Sequence, residues 1–119
     1  MGKVIVLGAA PNPRRYSYKA IKSLLRFNYE VVAVGFRSAF IDDVEILKGM
    51  PEISDVDTVL IYMGEKRQKE YYDYLDKLNP RRVIFNPGTN NPELKGILKK
   101  KGIEIVEDCA LLMLNSHLF

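Results

Sequence analysis

Apolar positions along the chain follow two rhythms in turn. Val4 to Leu7 is an unbroken apolar run closed by Gly8, the pattern of a strand buried on both faces. From Ser17 to Phe27, Ala20, Ile21, Leu24 and Leu25 fall on one side and Lys19, Lys22 and Arg26 on the other, which predicts a helix lying on a sheet. Asn28 tolerates the left-handed conformation that ends such a helix. Glu30 to Val34 predicts a second strand, and Val56 to Tyr62 a third. Tyr71, Tyr74, Leu75 and Leu78 recur at helical spacing before Asn79-Pro80, where a helix must stop. Arg82 to Phe85 predicts a fourth strand. Asn91-Pro92-Glu93 predicts a helix start, with a cap, a first-turn proline and an acid at the positive end. Leu94, Ile97 and Leu98 are its inner face, and Lys99 to Lys101 with Gly102 close it. Ile103 to Val106 is the fifth strand, and Ala110 to Leu114 a final short helix. Between Gly35 and Asp57 the pattern fades. Gly49 and Pro51 interrupt it, leaving a short extended piece at Val44 to Ile46 and a degenerate crossover.

Regular alternation of strand and helix predicts an α/β fold: a Rossmann-like, doubly wound parallel sheet of about five strands with helices on both faces. The 119 residues suit one domain, residues 1–119, and 47% hydrophobic residues suffice for a core. Cys109 is the single cysteine, which excludes an internal disulfide framework and fits a reducing compartment. The first apolar run is too short for a secretory leader, and no stretch approaches the ~20 apolar residues of a membrane span. The expectation is a cytoplasmic protein with neither a membrane nor a nucleic-acid partner, since a net charge of +3 does not by itself imply the latter. His117 is the only histidine, so clustered His/Cys metal sites and a histidine-centred triad in mid-chain are excluded.

In doubly wound sheets ligands bind beyond the carboxyl ends of the strands. The loops that should meet there are Gly8 to Tyr16, Gly35 to Ser38, Met63 to Arg67 and Asn86 to Asn90. They carry Arg14, Arg15, Arg37, Lys66 and Arg67 against Glu65 alone, so one rim should be positive. In the first loop Gly8 permits a sharp turn, Ala9 and Ala10 are small, and the following helix aims free N–H groups at whatever the loop holds. Ser17 is placed to cap that helix or to donate to a phosphate. An ordinary tight turn fits the same residues, because the G-x-G-x-x-G fingerprint is absent. After the second strand comes Gly35-Phe36-Arg37 rather than an acid. That disfavours NAD and leaves ligands with a phosphorylated ribose, NADP or coenzyme A.

These segments resemble the small stand-alone CoA-binding-domain proteins, whose domain also forms the N-terminal part of the succinyl-CoA synthetase alpha subunit. The resemblance rests on Val6-Leu7-Gly8-Ala9-Ala10-Pro11-Asn12-Pro13 followed by Tyr16-Ser17, on Val32 to Arg37, on Asn86-Pro87-Gly88-Thr89, and on Gly102 to Val106 leading into Glu107-Asp108-Cys109. It implies coenzyme A or an acyl-CoA as ligand. The phosphates would lie on the amides of Ala9 and Ala10 beside Gly8, Asn12, Arg14 and Ser17. Arg37 would meet the phosphorylated ribose, with Gly35 and Phe36 forming its loop. Met63 and Gly64 would border the adenine or pantetheine path, and Asn86, Pro87 and Gly88 would complete the ligand-facing loops. Gly35-Phe36 stands where the family shows Asn-Pro. The chain also lacks the second domain in which the synthetase keeps its phosphorylated histidine, so ligase activity does not carry over.

Three readings follow. The leading one is a nucleotide-binding module without catalysis of its own, acting alone, as a homo-oligomer or with an acyl-CoA enzyme. The alternatives are an NADP-dependent oxidoreductase, for which no proton-donor set is visible, and an interaction scaffold with a vestigial nucleotide site.

Overall fold

The structure, a computed structural model describing residues 2–119, is built on one seven-stranded sheet. The strands are β1 (Lys3–Ala9), β2 (Val31–Gly35), β3 (Ala39–Ile41), β4 (Val44–Lys48), β5 (Val56–Ile61), β6 (Arg82–Phe85) and β7 (Glu104–Glu107), in the order β3-β4-β2-β1-β5-β6-β7. All neighbours are parallel except β3 and β4. The α/β doubly wound class predicted from the sequence is therefore correct, and the expected strand count is low by two. Both extra strands lie in the segment read as a degenerate crossover. There the chain makes a hairpin at Asp42-Asp43, with Asp42 at φ 53° and Ile41 opposite Val44. β3, with three residues, falls below the length at which periodicity shows, and β4 contains the short extended piece expected at Val44 to Ile46.

Side chains alternate across the sheet, as the two-residue period of a strand requires. Val4 and Val6 face α1 (Tyr16–Arg26) and α5 (Ala110–Asn115); Ile5 and Leu7 face α3 (Tyr72–Leu78) and α4 (Pro92–Lys100). Two buried layers result, one on each face. The stretch predicted as one middle helix is segmented into α2 (Glu65–Gln68), a 3-10 turn at Lys69–Tyr71, and α3. Its tyrosines do pack in the core: Tyr71 and Tyr74 are buried. Asn28 and Asn79 adopt the left-handed conformation at helix ends, and Asn91 caps α4 by accepting from the Leu94 N–H at 3.0 Å.

At the amino end of the strands Arg81 donates to both oxygens of Asp57, at 2.8 and 3.1 Å, and the Thr58 hydroxyl donates to Asp57 Oδ2 at 2.6 Å. The Arg81 hydrogen bonds, more than any other cause, hold the Asp57 carboxyl down to about 2. Its folded value thus lies below the ~3.9 of an unfolded chain. The pair stabilises the fold above that unfolded value and loses its effect as pH falls through the folded one. Acid titration of the unfolding free energy should show this loss between about pH 4 and pH 2, worth about 1 kcal/mol for a partly exposed pair. The Asp57→Asn variant should lack that component.

At the other end of the sheet Gly35 passes so close to β1 that an added Cβ would lie 2.3 Å from the Ala9 carbonyl oxygen and 2.9 Å from Ile46 Cγ2. Gly35→Ala should cost roughly 1–3 kcal/mol of stability through overpacking, read as a lowered urea midpoint.

Candidate functional site

From β1 the chain leads through α1 to β2 on one side, whereas from β5 it leads to β6 on the other. The carboxyl ends of β1 and β5 therefore border the switch-point crevice. Gly8 forms the corner of that crevice. It sits in a bulge, since Leu7 pairs with Val34 and Ala9 with Gly35. Its φ of 96° is unfavourable for any residue with a side chain, and a Cβ would lie 2.8 Å from the Tyr62 carbonyl oxygen.

Beyond the bulge, Asn12 folds the loop. Its side-chain oxygen accepts from the Arg14 N–H at 2.9 Å, and its carbonyl from the Arg15 N–H at 3.0 Å. Arg15 occupies the cap position of α1 without a side-chain cap bond, so the first-turn N–H groups are uncapped by it. Ser17 does not cap the helix as expected; it lies inside the first turn, 4% exposed.

A cleft of about 940 Å³ opens over this corner. Gly8, Ala9, Ala10, Arg14, Ser17, Phe36, Met63, Gly64, Asn86, Pro87 and Gly88, all candidates from the sequence, line it together. Asn12, Gly35 and Arg37 lie outside its lining. Asn12 shapes the loop, Gly35 relieves the contact with Ala9, and Arg37 stands exposed in the bend after β2. The lining also includes Arg15, Tyr16, Tyr62, Arg67, Thr89, Cys109, Leu111 and Leu112. Strand order sets where these groups stand: the loops after β2, β1, β5 and β6 follow one another at ~4.8 Å per strand, about 14 Å in all.

Two buried amides hold the far wall in shape. Gln68, 1% exposed, donates through Nε2 to the Met63 carbonyl at 2.9 Å and the Thr89 carbonyl at 2.8 Å, and accepts from Asn91 Nδ2 at 3.0 Å. Asn86 donates to the Ile61 carbonyl at 3.0 Å and accepts from the Ala110 N–H at 2.8 Å. The second bond docks α5 against the β6 loop and so brings Cys109, Leu111 and Leu112 to the cleft. These residues are far along the chain from the glycine loop, and only a tertiary bond reveals their place. Among the described residues the buried Tyr62 hydroxyl oxygen has no hydrogen-bond partner, and burial pushes its pKa up.

Among the described residues, three arginines and no carboxylate line the cleft. Glu107 and Asp108 line a separate recess of about 220 Å³ that shares Asn86, Pro87 and Gly88. The cleft thus offers an anion backbone N–H groups and guanidinium groups together.

The family described as a CoA binding domain matches residues 2–115, and the chain belongs to that family. A solved structure described as an uncharacterized protein is 41% identical over 100% of this chain and 98% of its own, with a TM-score of 0.96. A cell-free-produced protein from Thermus thermophilus shares the fold at 24% identity and a TM-score of 0.85, covering 99% of this chain and 91% of that one. A dinucleotide-forming acetyl-coenzyme A synthetase from Ca. Korarchaeum cryptofilum, in complex with phosphate and ADP, shares it at 16% identity and a TM-score of 0.70, over 90% of this chain and 25% of that one. No curated protein matches the chain. Among the described residues no helix is long and apolar enough to cross a membrane.

Gln68→Met keeps the bulk of the strut but leaves the Met63 and Thr89 carbonyls without their donor. It should lower the unfolding free energy by about 1–3 kcal/mol, measured by urea denaturation without ligand.

Proposed function

We propose that this protein binds coenzyme A, free or as a thioester, in the cleft over the β1 and β5 ends, and that its role is recognition rather than chemistry. The observation that carries this reading is a cleft lined by three arginines and no acid at the glycine corner of a CoA-binding-domain fold. The pyrophosphate lies on the amides of Ala9 and Ala10 and the uncapped start of α1. Arg14 and Ser17 stand beside it, and Asn12 keeps the loop in the shape that presents them. Charge-assisted hydrogen bonds of this kind are the strong ones. The nucleotide end extends toward the β2 loop, where folds of this class meet the ribose. The pantetheine passes Met63 and Gly64 toward the Asn86–Thr89 loop. The apolar wall of Leu111 and Leu112 then faces the thiol end, a surface suited to an acyl group.

A ligand that binds only the folded chain raises its apparent stability, by about 2.7 kcal/mol at a hundred times its dissociation constant. Thermal unfolding in a panel of CoA, acetyl-CoA, NADP, NAD and ATP should therefore show the largest rise with CoA or its thioester. The double variant Arg14→Gln, Arg15→Gln should weaken CoA by about tenfold or more. No rise with CoA at millimolar concentration would overturn the reading.

A further inference from the structure

Resting on the CoA reading, we infer that Arg67, rather than Arg37, reads the phosphate on the ribose of the bound nucleotide. Sequence alone favours Arg37, which follows the second strand directly. The structure places Arg37 outside the cleft lining and Arg67 within it. Arg67 arrives from α2, across the crevice, and its guanidinium carbon lies 4.4 Å from the centre of the Phe36 ring. Phe36 belongs to the β2 loop, so Arg67 delivers a cation to the end of the cleft where this fold class meets the ribose.

The chain's departure from its family pattern explains the exchange. Phe36 stands where the resemblance leads one to expect proline, and a phenyl face attracts a guanidinium as a proline ring does not. The ring is itself buttressed. Phe36 meets Tyr71 edge-on at 6.5 Å, Tyr71 meets Tyr74 at 6.3 Å, and the Tyr74 hydroxyl donates to the Pro51 carbonyl at 2.6 Å. A guanidinium lying against a ring keeps its N–H edge free, and that edge matches a phosphate in a bidentate pair. Among the described residues no carboxylate pairs with Arg67, so no ion pair has to break for a phosphate to bind. Pinning by Phe36 removes part of the entropy cost that an unrestrained side chain would bear on binding.

Dissociation constants for CoA and 3′-dephospho-CoA, measured by calorimetry on the unaltered chain and on Arg67→Gln, Arg67→Lys and Arg37→Gln, test the assignment. Arg67→Gln should weaken CoA about tenfold or more while leaving dephospho-CoA within about twofold. Arg67→Lys should fall between, because it keeps the charge and loses the fork. Arg37→Gln should change both ligands by less than about threefold. The assignment is overturned if Arg37→Gln alone removes the preference for CoA. It is also overturned if Arg67→Gln weakens both ligands equally, or if the unaltered chain binds both equally well; in those cases the CoA reading stands. Failure of the unaltered chain to bind either ligand overturns the CoA reading and this assignment together.

Discussion

The head of β1 is where backbone meets backbone without side chains between. Gly8 turns there at positive φ beneath the Tyr62 carbonyl, and Gly35 lies against the Ala9 carbonyl. Methyl groups at these two points would push β1 from β5 on one side and from β2 on the other. The bulge at Gly8 and the tight pairing of Ala9 with Gly35 then fix where the chain leaves the sheet. That exit sets the angle of the first loop, the start of α1 and hence the position of Arg14, Arg15 and Ser17. Every polar group on the near side of the cleft inherits its place from this corner.

The corner was legible in the sequence because its cause is local. An apolar run ending in glycine, two alanines and an amphipathic helix describes a strand, a turn and a helix without tertiary information. The same holds for Asn91 and Pro92 at the start of α4, where cap and first-turn chemistry act within four residues. Legibility fails where long-range contacts decide. β3 has three residues, too few to show alternation. The docking of α5 combines the burial of Ala110, Met113 and Leu114 with a bond from the Ala110 N–H to Asn86, between residues that no periodicity connects. Arg37 lies in the bend after β2 and Arg67 in α2, after β5, and sequence order favours the one next to β2. A contact across the crevice puts the other on the wall.

Charge is sorted more sharply in the structure than in the composition. A net charge of +3 suggests little, yet at the carboxyl ends of the strands Glu107 is turned to Lys95, at 2.5 Å, while the only charged side chains lining the cleft, among the described residues, are arginines. A lone excess of positive charge in a partly enclosed space gives a stronger local field than the same groups spread over a convex surface. The buried amides of Gln68 and Asn86 preserve that arrangement, because each spends its hydrogen-bonding capacity on protein atoms and so braces a wall.

The hairpin that replaces a crossover helix also sets the outer border of the sheet. Its outer strand, Ala39–Ile41, has three residues and runs against its neighbour. Outer strands with free N–H and C=O groups invite another chain to add on, and shortness is one of the ways proteins discourage it. With only three residues along that margin, and the Lys22–Asp42 pair at its tip, a stray strand would find too few ladder positions to grow a shared sheet. This flank of the sheet is thereby protected from intermolecular zippering without a covering helix.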